Sequence, residues 1–174
     1  AYQAEDADPD DVLAARVSWT RNGAKVGFKN FAMGDLFTCG QQVGPAYECW
    51  GYDQEGVFSV PPVDFVELAH GDEHGCGLDS AGFITCWGST ATWNSEPSNS
   101  RPYVLVRAGT NVSKAVLEGV SCAIDVEGQI ECWGDLSPND PTVSEIPNEK
   151  AYIDIGMGAS HICALDTDGY VECW

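Results

Sequence analysis

Two cysteines ten residues apart, the second followed directly by tryptophan, recur four times along this 174-residue chain. The pairs are Cys39/Cys49, Cys76/Cys86, Cys122/Cys132 and Cys163/Cys173, and Trp50, Trp87, Trp133 and Trp174 follow them. No cysteine is left over. An internal repeat of this kind restricts the chain to an architecture of similar units stacked in series, because one such unit cannot bury its apolar face alone.

The local pattern sets the register inside each unit. Asp and Gly stand three apart in three copies: Asp79/Gly82, Asp125/Gly128 and Asp166/Gly169. Asp opening a type I turn, followed by Gly in the left-handed region, closes a three-residue hairpin loop with a bulge. In the last copy that loop places Asp166 opposite Tyr170, Leu165 opposite Val171, Ala164 opposite Glu172 and Cys163 opposite Cys173. The cysteines then form a non-hydrogen-bonded pair, with Cα atoms roughly 4.5 Å apart, at the short end of the disulfide range. Turn and cysteines agree, so the pairing within each repeat is the one expected of the 105 that eight cysteines allow. Zinc needs tight ligand spacing such as C-x2-C, which is absent. Each bridge closes a short loop and contributes roughly 2–3 kcal/mol on the chain-entropy view. Four of them imply an oxidising compartment, extracellular or at the cell surface.

Upstream of each pair runs a short apolar stretch ending in glycine: Phe31-Ala-Met-Gly, Val66-Glu-Leu-Ala-His-Gly, Ala115-Val-Leu-Glu-Gly and Ile153-Asp-Ile-Gly-Met-Gly. One unit therefore reads as a strand, a glycine turn and a disulfide-clipped hairpin, over residues 31–51, 66–88, 115–134 and 153–174. First cysteines lie 37, 46 and 41 residues apart, the period of propeller blades. The first copy departs from the others: Gly44-Pro45 replaces the Asp-x-x-Gly turn, as suits a terminal, capping repeat.

The run Gly-x-x-His-x-Cys-Ala-Leu-Asp-x-Asp-Gly-x-Val-x-Cys-Trp over 158–174 resembles the RCC1-like repeat in its bacterial, secreted, disulfide-bearing form. Residues 71–88 and 119–134 resemble it in turn, and 33–51 at the cysteines, Trp50 and Gly51. The resemblance implies an all-β fold for residues 31–174, a β-propeller or an open propeller arc of four repeats. Full rings of this kind carry about seven blades, so four either close a small ring or form an arc. The chain stops at Trp174, where the earlier copies continue, and the last blade reads as unfinished. Family members serve as exchange factors, lectin-like modules, inhibitors and cell-surface modules, so the fold does not select a function.

Residues 1–30 differ in composition and read as a β-hairpin extension. Val12–Thr20 and Ala24–Phe28 read as strands around the turn signal Asn22-Gly23. The segment resembles a fragment of a bacterial Ig-like or cadherin-like domain. A lone hairpin is marginal in water, so it docks on its own propeller or on a neighbouring copy, with Val12, Val17, Trp19, Val26 and Phe28 as the docking residues. Docking repeated head to tail gives a ring or a filament. Asp6, Asp8 and Asp10 alternate and are candidate calcium ligands; a solvated acidic terminus is the plain alternative.

Net charge is −19, from eight basic and 27 acidic residues. Nothing basic meets phosphate, which argues against nucleic acid and anionic membranes. No apolar run approaches a membrane span. The disulfides imply export, and Ala1 reads as the start of a mature chain whose leader is gone. Asn111-Val-Ser is the one N-glycosylation sequon. His74 and His161 share a slot with Phe37 and Val120, which marks that slot as structural. The four repeat tryptophans read as packing between blades, and Trp93 as a candidate exposed contact. No nucleophile–base motif or phosphate loop is present. The chain therefore reads as a non-enzymatic extracellular structural protein that self-associates and requires no cofactor, calcium aside. The alternative is a secreted binding module for glycans or for another extracellular protein.

Overall fold

The computed structural model describes residues 27–53, 56–88, 97–109, 119–134, 146, 150–158 and 161–174, and the backbone of four short strands before them. Those four are β1 (Gln3–Glu5), which pairs with β2 (Arg16–Ser18), and β3 (Thr20–Arg21), which pairs with β4 (Ala24–Lys25). The β3–β4 register is Thr20 with Lys25 and Arg21 with Ala24; Asn22 and Gly23 lie outside the described residues.

Four antiparallel three-stranded sheets follow. The first holds β5 (Phe28–Met33), β6 (Phe37–Gln42) and β7 (Tyr47–Gly51). The second holds β8 (Phe65–His70), β9 (His74–Asp79) and β10 (Ile84–Gly88). The third holds β11 (Tyr103–Ala108), β12 (Ser121–Asp125) and β13 (Ile130–Trp133). The fourth holds β14 (Tyr152–Met157), β15 (Ile162–Asp166) and β16 (Val171–Cys173). The second strand is central in each sheet. First strands pack on one another in series, β5 on β8, β8 on β11 and β11 on β14, so the sheets stand as successive blades around a common inner edge. They do not close into a ring.

The same local chemistry builds every blade. The first strand ends where Gly34, Gly71, Gly109 or Gly158 donates its N–H to the carbonyl of Phe37, His74, Val120 or His161, at 2.9–3.0 Å. Each first strand carries one bulge, between Phe28 and Asn30, Phe65 and Glu67, Tyr103 and Leu105, or Tyr152 and Asp154. The hairpin turns repeat atom for atom. Asp79 Oδ1 accepts the N–H of Ala81 and Phe83, Asp125 Oδ1 that of Glu127 and Gln129, and Asp166 Oδ1 that of Asp168 and Tyr170, all at 2.8–2.9 Å. Gly82, Gly128 and Gly169 supply the left-handed residue, with φ of 86°, 82° and 88°. In the first blade Gly44 does so at 91°. Gln42 N–H still bonds Ala46 O at 2.9 Å, so the register survives without the Asp.

Register brings each cysteine opposite its partner. The four disulfides are Cys39–Cys49, Cys76–Cys86, Cys122–Cys132 and Cys163–Cys173, with Cα separations of 4.0–4.1 Å, and there is no free cysteine.

Two boundaries differ from those read in the sequence. Phe28 to Asn30 belong to the first blade rather than to the extension, because they pair with Gln41 and Gln42. In the third blade the first strand is Tyr103–Ala108; the stretch expected there, Ala115 to Glu118, lies outside the described residues. The reason is an insertion. Gly109 and Val120 occupy the positions that Gly71 and His74 hold in the second blade, but stand eleven residues apart instead of three. Gly119 stands just ahead of the hairpin and imitates the glycine that really comes ten residues earlier.

Candidate functional site

Each blade has a leading face, turned to the blade before it, and a trailing face, turned to the blade after it. An aromatic residue opening the first strand packs on the tryptophan after the second cysteine to form the leading face. The pairs are Phe28/Trp50, Phe65/Trp87, Tyr103/Trp133 and Tyr152/Trp174, with ring centroids 5.3–6.4 Å apart. The aromatic lies over a small residue of the central strand. A Cβ on Gly40 or Gly77 would sit 2.5–2.6 Å from the ring of Phe28 or Phe65, and Ala123 and Ala164 hold the equivalent positions. Only Phe28 among these aromatics stood out in the sequence, although the signal for all four was there: they precede the tryptophan by 22 residues in three copies and by 30 in the copy with the insertion.

The trailing face is built by the disulfide and its neighbours. Cys76, Leu78, Ile84 and Cys86 of the second blade pack against Tyr103, Val106 and Trp133 of the third. Cys122, Ile124, Ile130 and Cys132 of the third pack against Tyr152, Ile155 and Trp174 of the fourth. Between the first and second blades the linker residues Val57, Phe58 and Val60 join Phe37 and Cys39, and Trp87 donates its indole N–H to Val57 O.

Backbone and polar groups fasten the same junctions. Tyr103 N–H donates to Gly82 O and Tyr152 N–H to Gly128 O, both at 2.8 Å, so the Asp79 and Asp125 turns each hold the blade that follows. Arg107 reaches Glu67 of the second blade at 2.5 Å and Asp154 of the fourth at 3.1 Å. His70 Nδ1 lies 3.1 Å from Ala32 O, and His74 Nε2 lies 2.8 Å from Ser121 Oγ. Burial pushes both imidazoles down from 6.5 to about 4, and in His74 the neighbouring His70 pushes the same way. The expectation that this slot is structural agrees with its burial at Phe37, His74 and Val120.

The two ends of the arc lack this cover. On the leading face of the first blade Phe31 is 65% exposed, whereas its counterparts Leu68, Val106 and Ile155 are 8%, 0% and 3% exposed. Phe28 and Trp50 are half-buried. On the trailing face of the fourth blade Val171 is 65% exposed against 3% for Ile84. Cys173 and His161 are exposed there too, and Leu165 is half-buried. Among the described residues these two faces expose side chains whose counterparts in the other blades are buried.

Shallow clefts recur on the rim of the Asp turns. One is lined by Arg101, Tyr103, Asp125, Gln129 and Glu131, the other by Lys150, Asp166, Asp168 and Tyr170. Their charged groups engage one another: Arg101 bridges Asp125 and Glu127, and Lys150 pairs with Glu172. Among the described residues no group of three or more metal-ligating side chains occurs, and no helix is long and apolar enough to cross a membrane.

Of the residues singled out from the sequence, the eight cysteines are paired as expected. Phe28 lies on the open leading face. Val17 lies in β2, of which only the backbone is described. Asp6, Asp8, Asp10, Val12, Trp19, Val26, Trp93 and Asn111 lie outside the described residues.

No protein-family model matches the chain. Solved structures do resemble it. The ectodomain of the receptor kinase CR4 from Physcomitrella patens superposes with a TM-score of 0.68 at 20% identity, over 94% of this chain and 44% of that one. The CRINKLY WD40 ectodomain of the Arabidopsis thaliana receptor kinase ACR4 gives 0.62 at 22% identity, over 83% and 48%. Yeast RCC1 (Prp20), in its complex with Kap60, gives 0.66 at 12% identity, over 91% and 45%. The chain thus spans about half the length of these proteins. Its fold is an all-β, RCC1-like propeller arc of four disulfide-clipped blades.

Proposed function

We propose that the chain is a non-enzymatic structural and interaction module of an extracellular protein, and that it binds copies of itself head to tail. The observation that carries this reading is the pair of open end faces. They are the two halves of a contact that the chain already makes three times within itself, and apolar surface of that kind is covered in most soluble proteins. A contact between unlike faces propagates into a ring or a filament.

Other features support the setting. Four disulfides suit an oxidising compartment, and two of the similar structures are ectodomains. Yeast RCC1, similar in fold, was solved bound to Kap60, so this architecture does serve protein recognition. We place the N-terminal segment with Val12, Val17, Trp19 and Val26 beside Phe28 as part of the contact. Calcium at Asp6, Asp8 and Asp10 and a glycan at Asn111 are further proposals, to be tested by calorimetry with calcium and by mass after glycosidase treatment.

A second reading, binding of a glycan or of another extracellular protein, draws on the repeated rim clefts with their exposed Tyr170. Sedimentation of the full chain over a range of concentrations separates the two. Mass rising with concentration is expected; a single-chain mass throughout would set self-association aside in favour of the second reading.

A further inference from the structure

The end faces match slot by slot, which allows the contact to be named. The position filled by Phe37, His74, Val120 and His161 ends each trailing face, and in two junctions it meets the next blade's central-strand residue that pairs with the repeat tryptophan or its equivalent, Ser121 or Ile162. His74 meets the Ser121 hydroxyl and Val120 packs in one cluster with Ile162, an imidazole with a hydroxyl and an aliphatic with an aliphatic, while the Phe37 ring packs on His70 at 4.9 Å. The unmatched members are His161 on the fourth blade, exposed, and Thr38 on the first. They are again an imidazole and a hydroxyl, the pairing of His74 with Ser121.

The turn glycines repeat the agreement. A Cβ on Gly82 would meet Pro102 at 2.6 Å, and one on Gly128 would meet Ala151 at 2.7 Å, because the following blade is seated there. Gly169 meets nothing within 4 Å. The residue that stands to Phe28 as Pro102 stands to Tyr103 is Gly27, which also meets nothing within 4 Å. The apolar surfaces complete the match: Leu165, Val171 and Cys173 stand where Leu78, Ile84 and Cys86 seat Tyr103, Val106 and Trp133, and Phe28 and Phe31 are the first-blade equivalents of Tyr103 and Val106.

We infer that a second copy of this chain docks on the fourth blade as a fifth blade would. His161 hydrogen-bonds Thr38 of the next copy, Gly169 O accepts the Phe28 N–H of the next copy, and Val171 packs against its Phe31. The inference rests on the self-association reading above and gives it a specific interface. A second copy is favoured over a foreign partner because the contact continues the chain's own junctions: the turn bond is built twice, at Gly82 and Gly128, and the histidine–hydroxyl pairing once, at His74 and Ser121.

The test uses the full chain, with mass measured by sedimentation equilibrium. Val171→Lys spoils the trailing face and Phe31→Lys the leading face; both positions are exposed, and intact disulfides and an unchanged thermal midpoint check that each variant folds. Wild type is expected to associate, each variant alone to stay single, and an equimolar mixture to form one-to-one pairs, since one intact face of each kind remains. Variants that associate like wild type, or a mixture that stays single, overturn this interface while leaving self-association standing. A single-chain wild type, its faces covered by its own residues 1–26 or reserved for another protein, overturns both. His161→Ala and Thr38→Val should each weaken association roughly three- to tenfold, and the double variant no more than either alone. Losses that multiply would remove the His161–Thr38 contact from the proposal.

Discussion

The junction between the second and third blades and the pair of end faces are made from equivalent residues, yet one is sealed and the other open. Val106, Trp133, Ile84 and His74 are buried in the junction; their counterparts Phe31 and Val171 at the ends are about two-thirds exposed, and His161 is exposed as well. The repeat dictates the side chains, and the presence or absence of a neighbouring blade decides whether they contribute to stability. In a one-dimensional stack each unit is stabilised by its neighbours, so the same substitution should cost more inside than at the ends.

The largest effect tests this directly. Trp133→Ala should lower unfolding free energy by about 3–5 kcal/mol, the cost of emptying a sealed aromatic site. Trp50→Ala, on the half-buried ring of the open leading face of the first blade, should cost about 1–2 kcal/mol by the smaller area involved. Denaturant titrations of both variants check the pair, and equal losses would break the comparison.

Acid should attack the inner junctions next. His70 and His74 are held neutral, with burial pushing each down to about 4. The unfolded chain binds protons on these rings below about 6.5, whereas the folded chain does not until about pH 4. Their contribution is therefore fully present above pH 6.5 and is lost between pH 6.5 and 4, on the order of 2–3 kcal/mol for each ring. His74→Val, with the side chain that Val120 offers in the same slot, should flatten the pH profile of the denaturant midpoint by about half. An unchanged profile would move the acid sensitivity elsewhere.

A smaller contrast lies in the turns. Gly128→Ala and Gly169→Ala both strain a left-handed residue, by about 1 kcal/mol. Gly128→Ala also drives a methyl into Ala151, so it should cost about 2–3 kcal/mol in all. Equal thermal shifts would show that the Gly128 junction yields more easily than its contacts imply.

The last difference is one of rate. Cys173 is exposed, while Cys39, Cys76 and Cys122 are fully buried, and thiol exchange requires access to a sulfur. Brief reduction followed by alkylation and peptide mapping should label Cys163 and Cys173 first. Labelling should slow at concentrations where copies associate, because the proposed interface covers that bridge.

The hairpins were legible in the sequence because their determinants are local. Asp166, Gly169, Cys163 and Cys173 lie within eleven residues of one another, and turn type alone sets their register. Even the first blade keeps that register with Gly44 in place of the Asp-led turn. The first strand of the third blade was not legible, because an eight-residue insertion separates Gly109 from Val120 and Gly119 stands in the expected place. The leading-face aromatics were hidden differently: Phe65 and Trp87 are neighbours only through the strand between them, so their pairing shows as a long spacing rather than as a motif.

What the sequence determined by itself, then, is the unit: its turns, its register, its four disulfides and the serial repetition. These follow from hydrogen bonds and covalent geometry within a few residues. Only the tertiary structure decided which face of each unit is buried, that the first and fourth blades stay apart, and that His161 is left exposed while Phe37, His74 and Val120 are buried in the same slot. Burial is a property of what stands next to a residue, and in a stack of near-identical blades that depends on position along the arc, which no repeat motif records.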